Sequence, residues 1–169
     1  TPTLSSAASD VYKRQGRITS RIGLDRDCEI FTSDDDLYVW TAHEHQRESV
    51  SCVLVDEAQF LSPKQVLQLT LVVDKLKIPV LCYGLRTDFR GEPFPGSAYL
   101  LAWSDEMTEI KTICKSGKKA TMNARLDEEG NRVTEGDQIS RGLNYEAQAR
   151  DIFALDKVSP IGYQIPEAN

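Results

Sequence analysis

The sequence predicts an α/β fold, a mostly parallel sheet covered by helices and followed by a small antiparallel lobe. Three observations predict it. The run Val50-Ser51-Cys52-Val53-Leu54-Val55 is apolar, rich in β-branched residues and ends abruptly in Asp56-Glu57, as a strand of a sheet covered on both faces does. Residues 50–85 then read strand, helix, strand, one β-α-β unit with a right-handed crossover. Residues 120–139 read as two strands about a glycine-containing turn, an antiparallel hairpin.

Composition narrows the class. A chain of 169 residues, 40% hydrophobic and 27% charged, is ordinary for one globular domain. Net charge of -6, pI near 5.0 and no Lys/Arg-rich block argue against an extended nucleic-acid or anionic-membrane surface, while leaving room for a small phosphate pocket. Cys28, Cys52, Cys82 and Cys114 are irregularly spaced, which suits free thiols in a reducing cytoplasm better than a disulfide framework. No run approaches the roughly 18 apolar residues of a membrane span, and the start lacks the charged-then-apolar order of a signal peptide. The expectation is a cytoplasmic protein with neither nucleic acid nor membrane as partner.

The elements follow in order. Residues 1–15 are small, polar and unperiodic, with Ser5-Ser6-Ala7-Ala8-Ser9 in a row, and predict a disordered tail. No initiator Met precedes them, which suggests a fragment or a start of foreign origin. Residues 16–31 give intermittent short strands around a turn at Asp25-Arg26-Asp27. Ser33-Asp34-Asp35-Asp36 supplies an N-cap and a negative start for a helix through Leu37, Val39, Trp40 and His43. His43 and His45, two residues apart, would point about 200° from each other on that helix and so cannot share a metal. Ser62-Pro63 opens a second helix with a capping hydroxyl and a proline at its first position, and its apolar residues run to Lys77. Residues 78–85 read as a fully buried strand, 86–96 as a loop beside Asp56 and Glu57, 97–103 as a short apolar helix and 109–114 as another strand. After the hairpin, 142–145 lead into a short helical stretch ending near Leu155, and 157–169 read as a loose tail.

Ligands of open α/β sheets sit beyond the carboxyl ends of the strands, where Asp56 and Glu57 would emerge. One carboxylate there can hold Mg²⁺ and a second can take a proton from an attacking hydroxyl, a pairing suited to phosphoryl transfer. An acid in this position equally serves to end a strand or cap a helix.

Two stretches carry a family resemblance. Val53-Leu54-Val55-Asp56-Glu57-Ala58-Gln59-Phe60 and the longer, idiosyncratic Ile78-Pro79-Val80-Leu81-Cys82-Tyr83-Gly84-Leu85-Arg86-Thr87-Asp88-Phe89-Arg90-Gly91-Glu92-Pro93-Phe94 resemble the bacterial branch of the type II, cellular-type thymidine kinases. The likeness extends from about Gly16 to about Phe153. It implies a P-loop-NTPase-like α/β core, a small lobe, a lasso-like loop over the nucleoside, and ATP-dependent phosphorylation of the thymidine 5′-hydroxyl with Mg²⁺. Thymidine and ATP are the implied partners, and a homotetramer the implied assembly. By position, Glu57 matches the acceptor of the 5′-hydroxyl proton and Asp56 the Walker-B-type acid near Mg²⁺, while Phe60, Leu85 and Phe89 match walls of the thymine pocket. Core packing is the competing role for those three. Tyr145 matches the lasso tyrosine; Arg125 matches an arginine near the reacting phosphate, with a strand-surface charge as the alternative. Arg86 and Arg90 read more simply as surface charges than as phosphate ligands.

The sequence departs from the family pattern twice. The G-x-x-x-x-G-K-[ST] segment that cradles phosphates occurs nowhere in it, Ser116-Gly117-Lys118-Lys119 being the nearest imitation. The expectation is a core truncated at its N-terminus, lacking one central strand and binding ATP poorly. The family's lobe also holds Zn²⁺ with cysteine pairs; here Cys114 stands with Ser116, Ala149 and Ile152 at the other three places. One thiolate does not make a tetrahedral site, so zinc is expected to be absent and the lobe to rest on Ile113, Met122, Ile152 and Phe153. The expected organisation is a tail (1–15), a truncated kinase core (16–112), a β lobe with lasso (113–155) and a second tail (156–169). Two other readings stand beside the kinase: a nucleic-acid motor ATPase fragment, from the likeness of Asp56-Glu57-Ala58-Gln59 to a DEAD-type motif, and a non-catalytic remnant.

Overall fold

A computed structural model of the chain describes residues 3–6, 16–19, 25–138 and 144–155. It divides into two compact units, Thr1–Arg86 with Phe94–Met107, and Thr87–Pro93 with Thr108–Asn169. In chain order the first unit runs β1 (Thr3–Ser6), β2 (Arg17–Thr19), β3 (Asp25–Asp27), β4 (Glu29–Phe31), α1 (Leu37–Arg47), β5 (Val53–Asp56), α2 (Pro63–Leu71), β6 (Val80–Cys82) and α3 (Pro95–Trp103).

Four of these strands form a parallel sheet in the order β4-β1-β5-β6. The chain passes from β1 to β4 on one side, then crosses to β5 on the other, so the carboxyl ends of β1 and β5 flank a topological switch point. Open α/β sheets bind their ligands at such a point. Ser5 registers with Asp56 there, one residue before Glu57. Thr3–Ser6 thus corrects the expectation of a disordered start and of a missing central strand: backbone pairing on both sides supplies what the side-chain pattern does not advertise. The rest of 1–15 lies outside the described residues. Asp25–Asp27, expected as a turn, is likewise a strand, paired antiparallel with β2.

The helices start where the caps place them. The Asp36 carboxylate accepts from the backbone of Tyr38 and Val39, and Ser62 with Gln65 forms a reciprocal capping box at the head of α2. Two glutamines of α2 secure α1. Buried Gln65 donates to the carbonyl oxygens of Thr32 and Asp35 on the approach to α1, while Gln68 accepts from Leu37 N–H, one of the N–H groups that a helix start leaves without an intrahelical partner. The last turn of α2 widens into a π turn, Val72–Leu76, and ends on Lys77 at φ 59°. Phe31, Leu37, Val53, Val55, Val66 and Val72 lie among the core residues beneath these elements. The full burial expected of residues 78–85 does not hold. β6, confined to Val80–Cys82, is an edge strand of the four, and Leu81 on it and Tyr83 and Leu85 just after it are exposed.

The second unit contains β7 (Thr112–Ile113), β8 (Lys119–Ala120), β9 (Met122–Leu126), β10 (Arg132–Val133), β11 (Asn144–Gln148) and α4 (Arg150–Leu155). β10, β9 and β11 form an antiparallel sheet, and β7 pairs with β8. The hairpin at 127–131 forms as expected: the Asp127 carboxylate accepts from Glu129 and Asn131 N–H, and Gly130 takes φ 86°. Other expectations are corrected. The strand expected over 109–114 is confined to Thr112–Ile113, and the one over 120–126 breaks at Thr121, whose N–H turns to Gln148. The returning strand narrows to Arg132–Val133. Asn144–Gln148, expected as the approach to a helix, is a strand whose Tyr145 registers with Arg125, because β9 offers it a full ladder of partners. Ile113 is exposed and does not support the lobe, whereas Phe153 is buried, with its ring and Met122 lying around Gly91. Among the described residues no helix is long and apolar enough to cross a membrane.

Candidate active site

In the first unit the chain turns sharply where β5 ends. Glu57 takes φ 55° and ψ 40°, a left-handed conformation that costs a side-chain-bearing residue roughly 1 kcal/mol and persists only where its surroundings enforce it. A single 3-10 turn, Ala58–Phe60, follows immediately. Ala58 N–H donates to Tyr83 O at 2.8 Å and Tyr83 N–H to Val55 O at 2.8 Å, extending the β5–β6 ladder past the strand ends.

Two glycines grip this turn. A Cβ on Gly84 would stand 2.6 Å from Gln59 Oε1 and 2.9 Å from Gln59 N. A Cβ on Gly96, at the start of α3, would stand 2.6 Å from Leu61 O and 2.7 Å from Gln59 O. Neither position admits a larger residue without moving backbone. Phe60 packs edge-on against Phe94, ring centroids 5.6 Å apart, and Ser97 Oγ donates to Leu85 O.

Gln59, only 2% exposed, lies between these parts. Its Oε1 accepts from Leu85 N–H at 3.1 Å and its Nε2 donates to Glu57 Oε2 at 2.6 Å. The amide orientation is dictated by its partners, since a backbone N–H demands an oxygen and a carboxylate a donor. The Glu57 carboxylate is thereby tied to Leu85, the residue from which the 86–96 loop departs. Leu85 is 45% exposed, so core packing is not its role, and Asp56, Glu57 and Phe60 are each part-buried.

The remaining sequence-predicted residues fall in the second unit. Arg125 is 1% exposed, which removes the strand-surface alternative. Its guanidinium lies 3.6 Å from the centroid of the Phe89 ring, a cation–π stack, and donates through Nε to Tyr145 Oη at 3.0 Å and through Nη2 to Gln138 O at 3.1 Å. Phe89 is buried, while Tyr145 is 49% exposed. Asp88, also buried, accepts from Arg90 and from Gln138 Nε2. Arg90 is therefore an ion-pair partner of Asp88 rather than a bare surface charge.

His45 Nδ1 accepts from Val50 N–H at 3.0 Å, securing the chain between α1 and β5. Cys52, Cys82 and Cys114 are free thiols; burial pushes the Cys82 thiol up to about 12, while the Ser116 hydroxyl, 2.9 Å from Cys114 Sγ, leads the contacts that lower Cys114. Sequence reasoning missed Gln59 and its two glycine neighbours. A glycine inside a helix start carries some signal of close approach, but a buried glutamine carries none.

The family model for thymidine kinase matches residues 3–150, a span that begins inside the stretch whose composition set it apart. A thymidine kinase of Shewanella oneidensis is 52% identical over 155 residues, 90% of this chain and 80% of that protein. One from Vibrio vulnificus is 54% identical over 144 residues (85% and 75%), and one from Legionella pneumophila 55% identical over 142 residues (83% and 68%).

Proposed function

This chain belongs to the thymidine kinase family, and from that premise we propose how its residues divide the work. Its reaction is phosphorylation of thymidine with ATP as phosphate donor, a phosphotransfer to an alcohol. In the proposed step the 5′-oxygen forms a bond to the γ-phosphorus as the bond to ADP breaks, and the hydroxyl proton passes to the Glu57 carboxylate. Phosphoryl transfer asks a protein mainly for positioning and charge stabilisation. Glu57 is held for that task at the mouth of β5, beside a switch point, by its left-handed backbone and by Gln59.

Mg²⁺ needs only one or two carboxylates besides water and phosphate oxygens. Asp56, adjoining Glu57 at the end of β5, is the residue we assign to it; the ion would neutralise phosphate charge. Phe60 and Leu85 in the first unit, and Phe89, Arg125 and Tyr145 in the second, are proposed to serve the nucleoside. Arg125 does so by holding Phe89 and Tyr145 rather than as a free charge. The lobe is proposed to fold without zinc: a hydroxyl, Ser116 Oγ, stands beside Cys114 Sγ where a tetrahedral site would want a second thiolate. Cytoplasmic residence and a homotetramer complete the reading, the former supported by the free thiols of Cys52, Cys82 and Cys114.

The observation that carries this reading is the Glu57 carboxylate fixed at the carboxyl end of a parallel strand. Glu57→Gln should lower kcat for thymidine by roughly 10²- to 10⁴-fold, the usual share of a general base, with an unchanged melting temperature. Parental turnover in that variant would remove Glu57 from the chemistry.

A further inference from the structure

We infer that Gln59 is a positioning residue for the reaction, whose buried carboxamide fixes the orientation of the Glu57 carboxylate and couples it to the backbone of Leu85. This rests on Glu57 being the proton acceptor. Gln59 is 2% exposed, yet neither end of its amide faces apolar atoms alone: Nε2 meets Glu57 Oε2 at 2.6 Å and Oε1 meets Leu85 N–H at 3.1 Å. A buried amide with both ends engaged is held rigidly, because losing either bond strands a polar group away from water.

The backbone around it removes the remaining freedom. Gly84 makes the close approach of the Gln59 amide possible, since a Cβ there would stand 2.6 Å from Oε1, and Gly96 does the same for the Gln59 carbonyl, which a Cβ would meet at 2.7 Å, so backbone closes around the side chain on both sides. A glutamate side chain has three rotatable bonds, and a base that wanders by 1 Å can lose on the order of 100-fold in rate. The charge-assisted bond from Gln59 restricts that wandering without adding a second charge to the site. It also makes Leu85 and Glu57 move as one body, so the segment leaving β6 and the proton acceptor keep their register.

The test is a double-mutant cycle on the full chain. Gln59→Met, similar in volume but unable to make either bond, should lower kcat by roughly 10- to 100-fold and change the thymidine KM far less. In the Glu57→Gln background the same substitution should cost almost nothing further, because there is no longer a base to orient. An equal fold-loss in both backgrounds, or a Gln59→Met kcat within twofold of the parent, would overturn the inference. Loss of all effect from Glu57→Gln itself would instead overturn the reading of the base. A second measurement needs no turnover. With 15N-glutamine label, the Gln59 side-chain amide protons should exchange slowly with solvent, and much faster in Glu57→Ala, which removes their acceptor. Equal exchange rates in the two proteins would equally sink the proposal. Should Gln59→Met fail to fold, Gln59→Asn, one methylene too short to span both partners, takes its place in the cycle.

Discussion

The two units secure their functional side chains by opposite electrostatic means. In the first, a neutral amide, Gln59, is buried between a carboxylate and a backbone N–H, so the clamp itself adds no formal charge. In the second, a cation, Arg125, is itself buried and its charge is spread over the face of Phe89 and two neutral oxygens. A neutral clamp is cheap to bury and leaves the charged partner as the reactive group. A charged clamp costs more to desolvate, and what it orders is apolar and aromatic surface. The first arrangement suits a proton acceptor and the second a binding surface.

That contrast predicts where substitution hurts most. Arg125→Met removes the stack on Phe89 and leaves Tyr145 Oη and Gln138 O short of a donor, an expected loss of about 3 kcal/mol in the second unit. Trp40 and Trp103 both belong to the first unit, so tryptophan fluorescence follows that unit while amide exchange in β9 follows the other. Early opening of β9 with an unchanged tryptophan transition is the expected result. Arg125→Lys should recover little, since an ammonium neither stacks flat on the ring nor forks to two oxygens. A β9 exchange pattern unaltered by either change would mean that the buried cation carries no structural weight.

The next effect belongs to the first unit. In Gly96→Ala the added methyl would meet the carbonyl oxygens of Leu61, Gln59 and Ala58 at 2.6 to 2.8 Å, all of them backbone. Either α3 or the turn below it must move, at a cost of about 2 kcal/mol. Here the tryptophan transition should fall and β9 exchange should not. Because the turn carries Glu57, turnover should drop further than the stability loss alone explains. A variant that melts early but keeps its kcat would separate the turn from the chemistry.

What could be read in the sequence follows the same divide. Elements with strong local chemistry were legible: the capped starts at Asp36 and Ser62-Pro63, the apolar strand ending in Asp56, the glycine turn at 127–131. Asp56 and Glu57 could be singled out because apolar periodicity stops abruptly at a pair of acids. Elements held by long-range pairing were not. Thr3–Ser6 has no strand pattern and is ordered by neighbours 25 and 51 residues on, such as Leu4 against Glu29 and Val55. Asn144–Gln148 is a strand because β9 lies beside it. Polar groups that work from inside leave no sign of their burial in the sequence, and Arg125 is singled out there by family resemblance alone. Gln59, Gln65, Gln68 and Arg125 belong to residue types that favour the surface, and nothing in their sequence neighbourhood announces the partners that burial gives them.

The smallest predicted effect is an acid limb in the second unit. Asn131 N–H foremost, then Glu129, holds the Asp127 carboxyl below its ordinary range; Lys115 does the same for Glu146, and Lys118 for Asp151. A carboxyl whose folded value is depressed adds stability above its unfolded value, and loses it as pH falls through the folded one. The window therefore opens at about pH 4 and extends downward. All three groups are near solvent, so each contribution is small, and salt tells them apart. The Lys115 and Lys118 pairs are screened at high ionic strength, whereas the bonds from Asn131 and Glu129 to Asp127 are short-range and persist. In high salt, Asp127→Asn should therefore flatten most of what remains of the acid-induced opening of β9, because a neutral amide no longer gains or loses a proton there. An acid limb of unchanged depth in that variant would remove the Asp127 turn from the pH response of this unit.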